Sequence, residues 1–259
     1  MTLIRILKPL MPILSAVYGV AVIYVTALPI ADDKPTFVGE LLTWLLTLAG
    51  IALTFFLVHR VEPKVFPSAR RFSLKLPKIS VIVGLSLIAP LWLVSEEYIV
   101  YGITSLTHNI YMEPLIYTTA EFREDILSSV HAVLLAPILE ELCFRQMAIS
   151  PFHRRGAQIV ICVVMAILFG MLHVRNFLGA FLSAIVYGLV FVWSRNIWYS
   201  VTLHAGSNLA ATLLAVYCWL QLGDIQMAKI PVIILPDIKV VIASLFLAIA
   251  GVLLLKKKR

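Results

Sequence analysis

The sequence predicts an all-α fold, a polytopic transmembrane helical bundle of about eight spans. Three observations carry that prediction. Hydrophobic residues make up 61% of the chain and charged residues only 14%, against roughly 25% charged in a soluble domain. Runs of roughly eighteen or more apolar residues recur along it, each long enough as helix to cross the hydrocarbon. The basic residues gather on alternate connections, as the positive-inside rule leads one to expect.

The elements follow in order. Pro9–Ile30 comes after Arg5 and Lys8, a start that mimics a signal peptide. It is longer than an h-region and lacks a clear A-x-A site, so it reads as the first span. Phe37–Val58 and Ile79–Tyr98 form the second and third. Ile126–Ile149, Gln158–His173, Phe177–Ser194, Trp198–Leu220 and Ile238–Leu255 complete the set. With the N-terminus in the cytoplasm, Arg5, Lys8, the basic loop from Arg60 to Lys78, Arg154, Arg155, Arg195 and the tail Lys256–Arg259 all fall inside. Lys34, Arg123, Arg175 and Lys229 fall outside. That asymmetry predicts an integral membrane protein with both termini cytoplasmic. The net charge of +7 is then a topogenic signal and a contact with anionic membrane lipids, not a nucleic-acid surface.

Smaller features fill in the plan. The outer segment Val100–Asp125 offers Tyr101, Tyr111 and Tyr117 as interfacial residues and ends in Glu121, Glu124 and Asp125. Ala180, Ala184 and Gly188 recur at intervals of four, which lets a neighbouring helix approach closely. Cys143, Cys162 and Cys218 lie in apolar spans and read as packing residues rather than a disulfide framework. No internal repeat is visible. The expected organisation is one bundle: residues 1–125 as N-terminal helices and outer loop, 126–220 as the core that carries chemistry, and 221–259 as the last helix and basic tail.

The fourth span contains Glu140-Glu141-Leu142-Cys143-Phe144-Arg145. Each charged residue near a helix centre costs ~2.5–3.5 kcal/mol, so three cost roughly 7–10 kcal/mol before pairing. Glu141 and Arg145 share a helix face and can neutralise each other. Glu140 lies about 100° further round and gains nothing from that pair. An intramembrane carboxylate of this kind is a functional-site hypothesis by default. Span five brings Phe169 and His173 to one face, and span seven brings His204 and Asn208 to one face, with Gly206 and Ser207 leaving room beside them. At ~1.5 Å per residue, His204 lies about 12 Å from the cytoplasmic boundary, Glu140 about 15–18 Å, and His173 about 20–25 Å. One polar cavity in the bundle accommodates all three.

The residue types narrow the chemistry. A carboxylate in a low-dielectric pocket can take a proton from water. Histidine can share that work or donate to an oxyanion, and asparagine supplies an uncharged donor. No serine or cysteine pairs with these histidines, since Ser207 lies on another face than His204 and Asn208. The set fits attack of activated water on a carbonyl, hydrolysis without a covalent intermediate.

Glu-Glu-x-x-x-Arg, then Phe-x-x-x-His, then His-x-x-x-Asn, in that order, resemble the CAAX protease and bacteriocin-processing (CPBP) family, which includes the type II CAAX prenyl endopeptidases. The resemblance covers roughly residues 128–217. It implies an eight-helix intramembrane endopeptidase in which Glu140 and His173 activate water, His204 and Asn208 stabilise the oxyanion, and Glu141 and Arg145 orient the site. The implied substrate is a membrane-embedded or lipid-anchored protein or peptide, a prenylated CAAX protein or a precursor peptide among them. No cofactor is favoured. The alternative is zinc held by His173, His204 and Glu140, an open two-His, one-carboxylate site, against which stands the lack of an H-E-x-x-H helix. Two other functions compete: a catalytically silent immunity or scaffolding protein of the same fold, and a proton-coupled transporter, whose internal repeats are not seen.

Overall fold

The structure, a computed structural model, describes residues 2–27, 37–61, 72–106, 128–173, 176–222 and 238–256. All eight apolar runs carry helix. In chain order these are α1 (Thr2–Ala27), α2 (Phe37–Phe56, prolonged by a π-helical turn, Leu57–Val61) and α3 (Ile79–Leu106). A short α4 (residues 128–134) precedes α5 (Ala136–Glu141), which runs on into a π-helical segment, Leu142–Met147. Then come α6 (Arg155–Leu172), α7 (Phe177–Ser194), α8 (Ile197–Leu222) and α9 (Ile238–Lys256). Among the described residues there is no strand, only an isolated bridge between Ser73 and Asn196.

Among the described residues, five stretches are long and apolar enough to cross a membrane: Val38–Arg60, Ile79–Ile103, Arg155–Leu172, Phe177–Ser194 and Ile238–Leu255. The protein is an integral membrane protein of all-α fold. Residues 128–149 and α8 stand outside that group, and they are the segments with Glu140, Glu141, Arg145, His204 and Asn208.

The fourth run differs from the uninterrupted span its apolarity predicts. Helix α4 stops at a turn on Leu135, and α5 restarts with Pro137 in its first turn. Proline has no N–H to donate, and its ring collides with the carbonyl four residues back, so a helix tolerates it at the start. The third run is longer than expected. Helix α3 continues past Tyr98 to Leu106, so the connector expected from Val100 begins as helix. Residues 107–127, with Tyr111, Tyr117, Glu121, Glu124 and Asp125, lie outside the described residues.

The chain divides into two compact units, Met1–Leu76 with Leu134–Val201, and Pro77–Val133 with Thr202–Arg259. In the first, Leu139, Leu142, Cys143 and Phe144 pack with Met165, Ala166 and Phe169 of α6 and Ala180, Ala184 and Phe191 of α7. The small residues of α7 do what their spacing suggests: a Cβ at Gly188 would overlap the Cys162 sulfur. Helix α1 approaches the π segment at Gly19, where a Cβ would stand 3.2 Å from that of Cys143. Cys143 and Cys162 are buried free thiols. Thr47 and Thr54 satisfy their hydroxyls locally, donating to the carbonyls of Thr43 and Gly50. In the second unit α3 and α9 meet through glycines, since a Cβ on Gly251 would strike the Gly84 carbonyl oxygen. Helix α8 meets α3 at Gly206, against Ala89 and Ser86. Small residues buy this closeness where lipid provides no hydrophobic drive.

Candidate active site

The first unit holds the acidic motif. Glu141 is fully buried, and its Oε1 lies 3.0 Å from Arg145 Nη1. The other oxygen, Oε2, accepts a hydrogen bond from the Ser200 hydroxyl. Arg145, itself buried, also donates from Nη2 to the Ala184 carbonyl at 3.2 Å. Its guanidinium carbon stands 5.1 Å from the centre of the Phe169 ring and 5.9 Å from that of Tyr187. The pairing that i,i+4 spacing predicts is therefore present, and two aromatic faces supplement it by the attraction of a cation for a π quadrupole. Arg145 lies in the π-helical segment, a geometry that recurs at functional sites.

Glu140, next to this pair, is only half-buried. His173 closes α6 as its C-cap residue and is exposed. Its Nδ1 lies 2.9 Å from the Phe169 carbonyl oxygen. A carbonyl only accepts, so the proton sits on Nδ1 and the neutral ring presents the Nε2 lone pair. The imidazole also lies against the Phe169 ring, with centroids 4.4 Å apart. Phe169 thus orients His173 twice, through its carbonyl and through its face.

His204 and Asn208 belong to the second unit, on α8. His204 is buried. Asn208 is half-buried and donates from Nδ2 to the Ala132 carbonyl at 2.8 Å. Ala132 lies in the last turn of α4, where carbonyls lose their helical partners. The amide of Asn208 has two N–H groups, and this bond employs one.

Residues 122–210 match the family model described as Type II CAAX prenyl endopeptidase Rce1-like. The matched stretch is 89 of the 259 residues. No curated protein and no solved structure matches the chain. The match takes in α4 to the middle of α8, with Glu140, Glu141, Arg145, Phe169, His173, His204 and Asn208 all inside. Helices α1 to α3 and α9 lie beyond it.

The region has participants that the sequence reading missed. Ser200 and Tyr187 complete the surroundings of the Glu141–Arg145 pair. The only trace of Ser200 in the sequence is that it precedes His204 by the same four residues that separate His204 from Asn208. The Ala132 carbonyl leaves no trace at all, being backbone. Glu96 and Glu97 of α3 also went unnoticed. Glu96 is buried and Glu97 half-buried, inside the stretch Ile79–Ile103. Among the described residues, no group of three His, Cys, Asp or Glu side chains could hold a metal ion.

Proposed function

We propose that this protein is an intramembrane endopeptidase of the CPBP type, hydrolysing a peptide bond of a membrane-associated substrate, prenylated CAAX-type or precursor-peptide, by carboxylate- and histidine-activated water. The observation that carries the reading is the division between adjacent carboxylates. Glu141 has both oxygens committed to Arg145 and Ser200, while the half-buried Glu140 stands outside that pair. In this reading Glu140 takes a proton from water as the water oxygen bonds to the scissile carbonyl carbon. Nε2 of His173 accepts from the same water and holds it in line. The negative charge that develops on the carbonyl oxygen meets N–H donors from His204 and the second N–H of Asn208. Glu140 then delivers the proton to the departing amine nitrogen as the C–N bond breaks, leaving an amine and a carboxylic acid, whose remaining proton passes to water.

Two experiments test parts of it. Asn208→Ala should lower turnover by about 10²–10³-fold, the usual cost of one oxyanion donor, with no change in metal content. Activity in detergent should survive extensive chelation, and purified protein should hold well under one equivalent of zinc. Stoichiometric zinc, lost in parallel with activity from His173→Ala and His204→Ala, would establish the zinc alternative in place of glutamate-activated water.

The orientation in the membrane is part of the same proposal and follows from the basic asymmetry. A cysteine introduced at Arg70 or in the tail should be shielded from an impermeant thiol reagent added outside whole cells, and one at Thr119 should react. Labelling of the tail from outside would reverse the topology and the side of substrate access.

A further inference from the structure

Ser200 takes no part in the steps above, yet its placement is unusual for a hydroxyl in an apolar helix. Such hydroxyls ordinarily bond the carbonyl one turn back, as Thr47, Thr54, Ser95 and Ser207 do here. Ser200 is fully buried and instead donates to Glu141, 59 residues away in sequence. The start of α8 is fastened nearby as well. Asn196 caps the helix, its Oδ1 accepting from the Trp198 backbone N–H at 3.0 Å. The Trp198 indole donates to the Leu74 carbonyl at 2.8 Å, and the Asn196 amide donates to that of Lys75 at 2.9 Å. The first turn of α8 is therefore tied at two azimuths, to the 72–76 strap and to the buried ion pair. It can neither slide nor roll without breaking one of them.

Helix α8 is continuous from Ile197 to Leu222. His204 and Asn208 follow Ser200 at i+4 and i+8 on one face. A roll of about 20° moves a side-chain tip, some 5–6 Å from the axis, by about 2 Å. A displacement of about 1 Å suffices to cost about 10²-fold in rate.

We propose that Ser200 is a positioning residue: through its bond to Glu141 it fixes the rotation of α8 and so the aim of His204 and Asn208, without touching substrate. The proposal rests on the hydrolytic reading above, and its test separates the two. With a farnesylated peptide ending in Cys-a-a-X as probe, Ser200→Ala should lower kcat by about 10²-fold with little change in KM. Ser200→Cys, which keeps the size and a weak donor, should recover part of the loss. In parallel, histidine labelled with ¹⁵N reports the ring of His204, its lines assigned by their loss in His204→Gln. Ser200→Ala should shift these lines and Ser200→Cys should shift them less. Unchanged kcat, or His204 lines coincident with those of the unaltered protein, overturns the proposal. If the unaltered protein leaves the peptide intact, the hydrolytic reading with this substrate fails, and the His204 lines still decide the positioning role. If Ser200→Ala does not insert, the comparison of Ser200→Cys with the unaltered protein decides it by the same two readouts.

Discussion

Replacing Glu140 with glutamine will leave a folded, inserted protein whose turnover is lower by about 10²–10⁴-fold, the range over which a positioned general base contributes. The substitution is close to isosteric and leaves both oxygens of Glu141 engaged with Arg145 and Ser200. The loss should therefore fall on kcat while the melting temperature in detergent stays near that of the parent. Near-normal turnover of Glu140→Gln in a reconstituted assay would remove Glu140 from the role of base. The same variant should trap its substrate, so the uncleaved protein that accumulates in cells expressing it identifies what the enzyme acts on.

Replacing the neighbouring residue should have the opposite character. Glu141→Ala strands the Arg145 guanidinium in the interior with only the Ala184 carbonyl and two ring faces around it. Breaking a buried pair by removing one partner costs about 3–5 kcal/mol, which for a chain of this size lowers the melting temperature by roughly 10 °C. Removing both charges, in Glu141→Gln with Arg145→Met, should recover much of that stability, because a buried pair replaced by apolar groups is often neutral. A Glu141→Ala protein that melts within a degree or two of the parent would show that the pair is not what holds these helices together. Adjacent carboxylates would thus separate cleanly, one by rate and the other by stability.

These two substitutions also mark what a sequence can disclose. The spans were legible because lipid imposes one demand over a long stretch, and Phe177–Ser194 is the case in which both ends agree with the structure. The Glu141–Arg145 pair and the Phe169–His173 contact were legible because helical spacing alone brings i and i+4 together. Ser200 was not, since its partner lies on another helix and a lone serine in an apolar run ordinarily bonds its own backbone. The break at Leu135 had a visible cause in Pro137, but apolarity concealed it: a hydropathy pattern reads straight through a proline that directs the chain. The π-helical segment Leu142–Met147 has no sequence signature in these residues. Glu96 and Glu97 went unread although the span drawn as Ile79–Tyr98 contains both, because they fall at its end, where α3 in fact runs on to Leu106.

The hydrogen bond from Asn208 to Ala132 has a consequence for inheritance. The atom that holds the amide is a main-chain oxygen, so any of the twenty amino acids at position 132 can supply it. Side chains that keep α4 helical can vary there while the contact persists. Pro137, which no motif includes, is by contrast the residue whose replacement would let α4 run on into α5 and enclose that oxygen in a helix. Descendants of this gene could therefore keep every motif letter and still lose the tether. Others could change the letter at 132 and keep it.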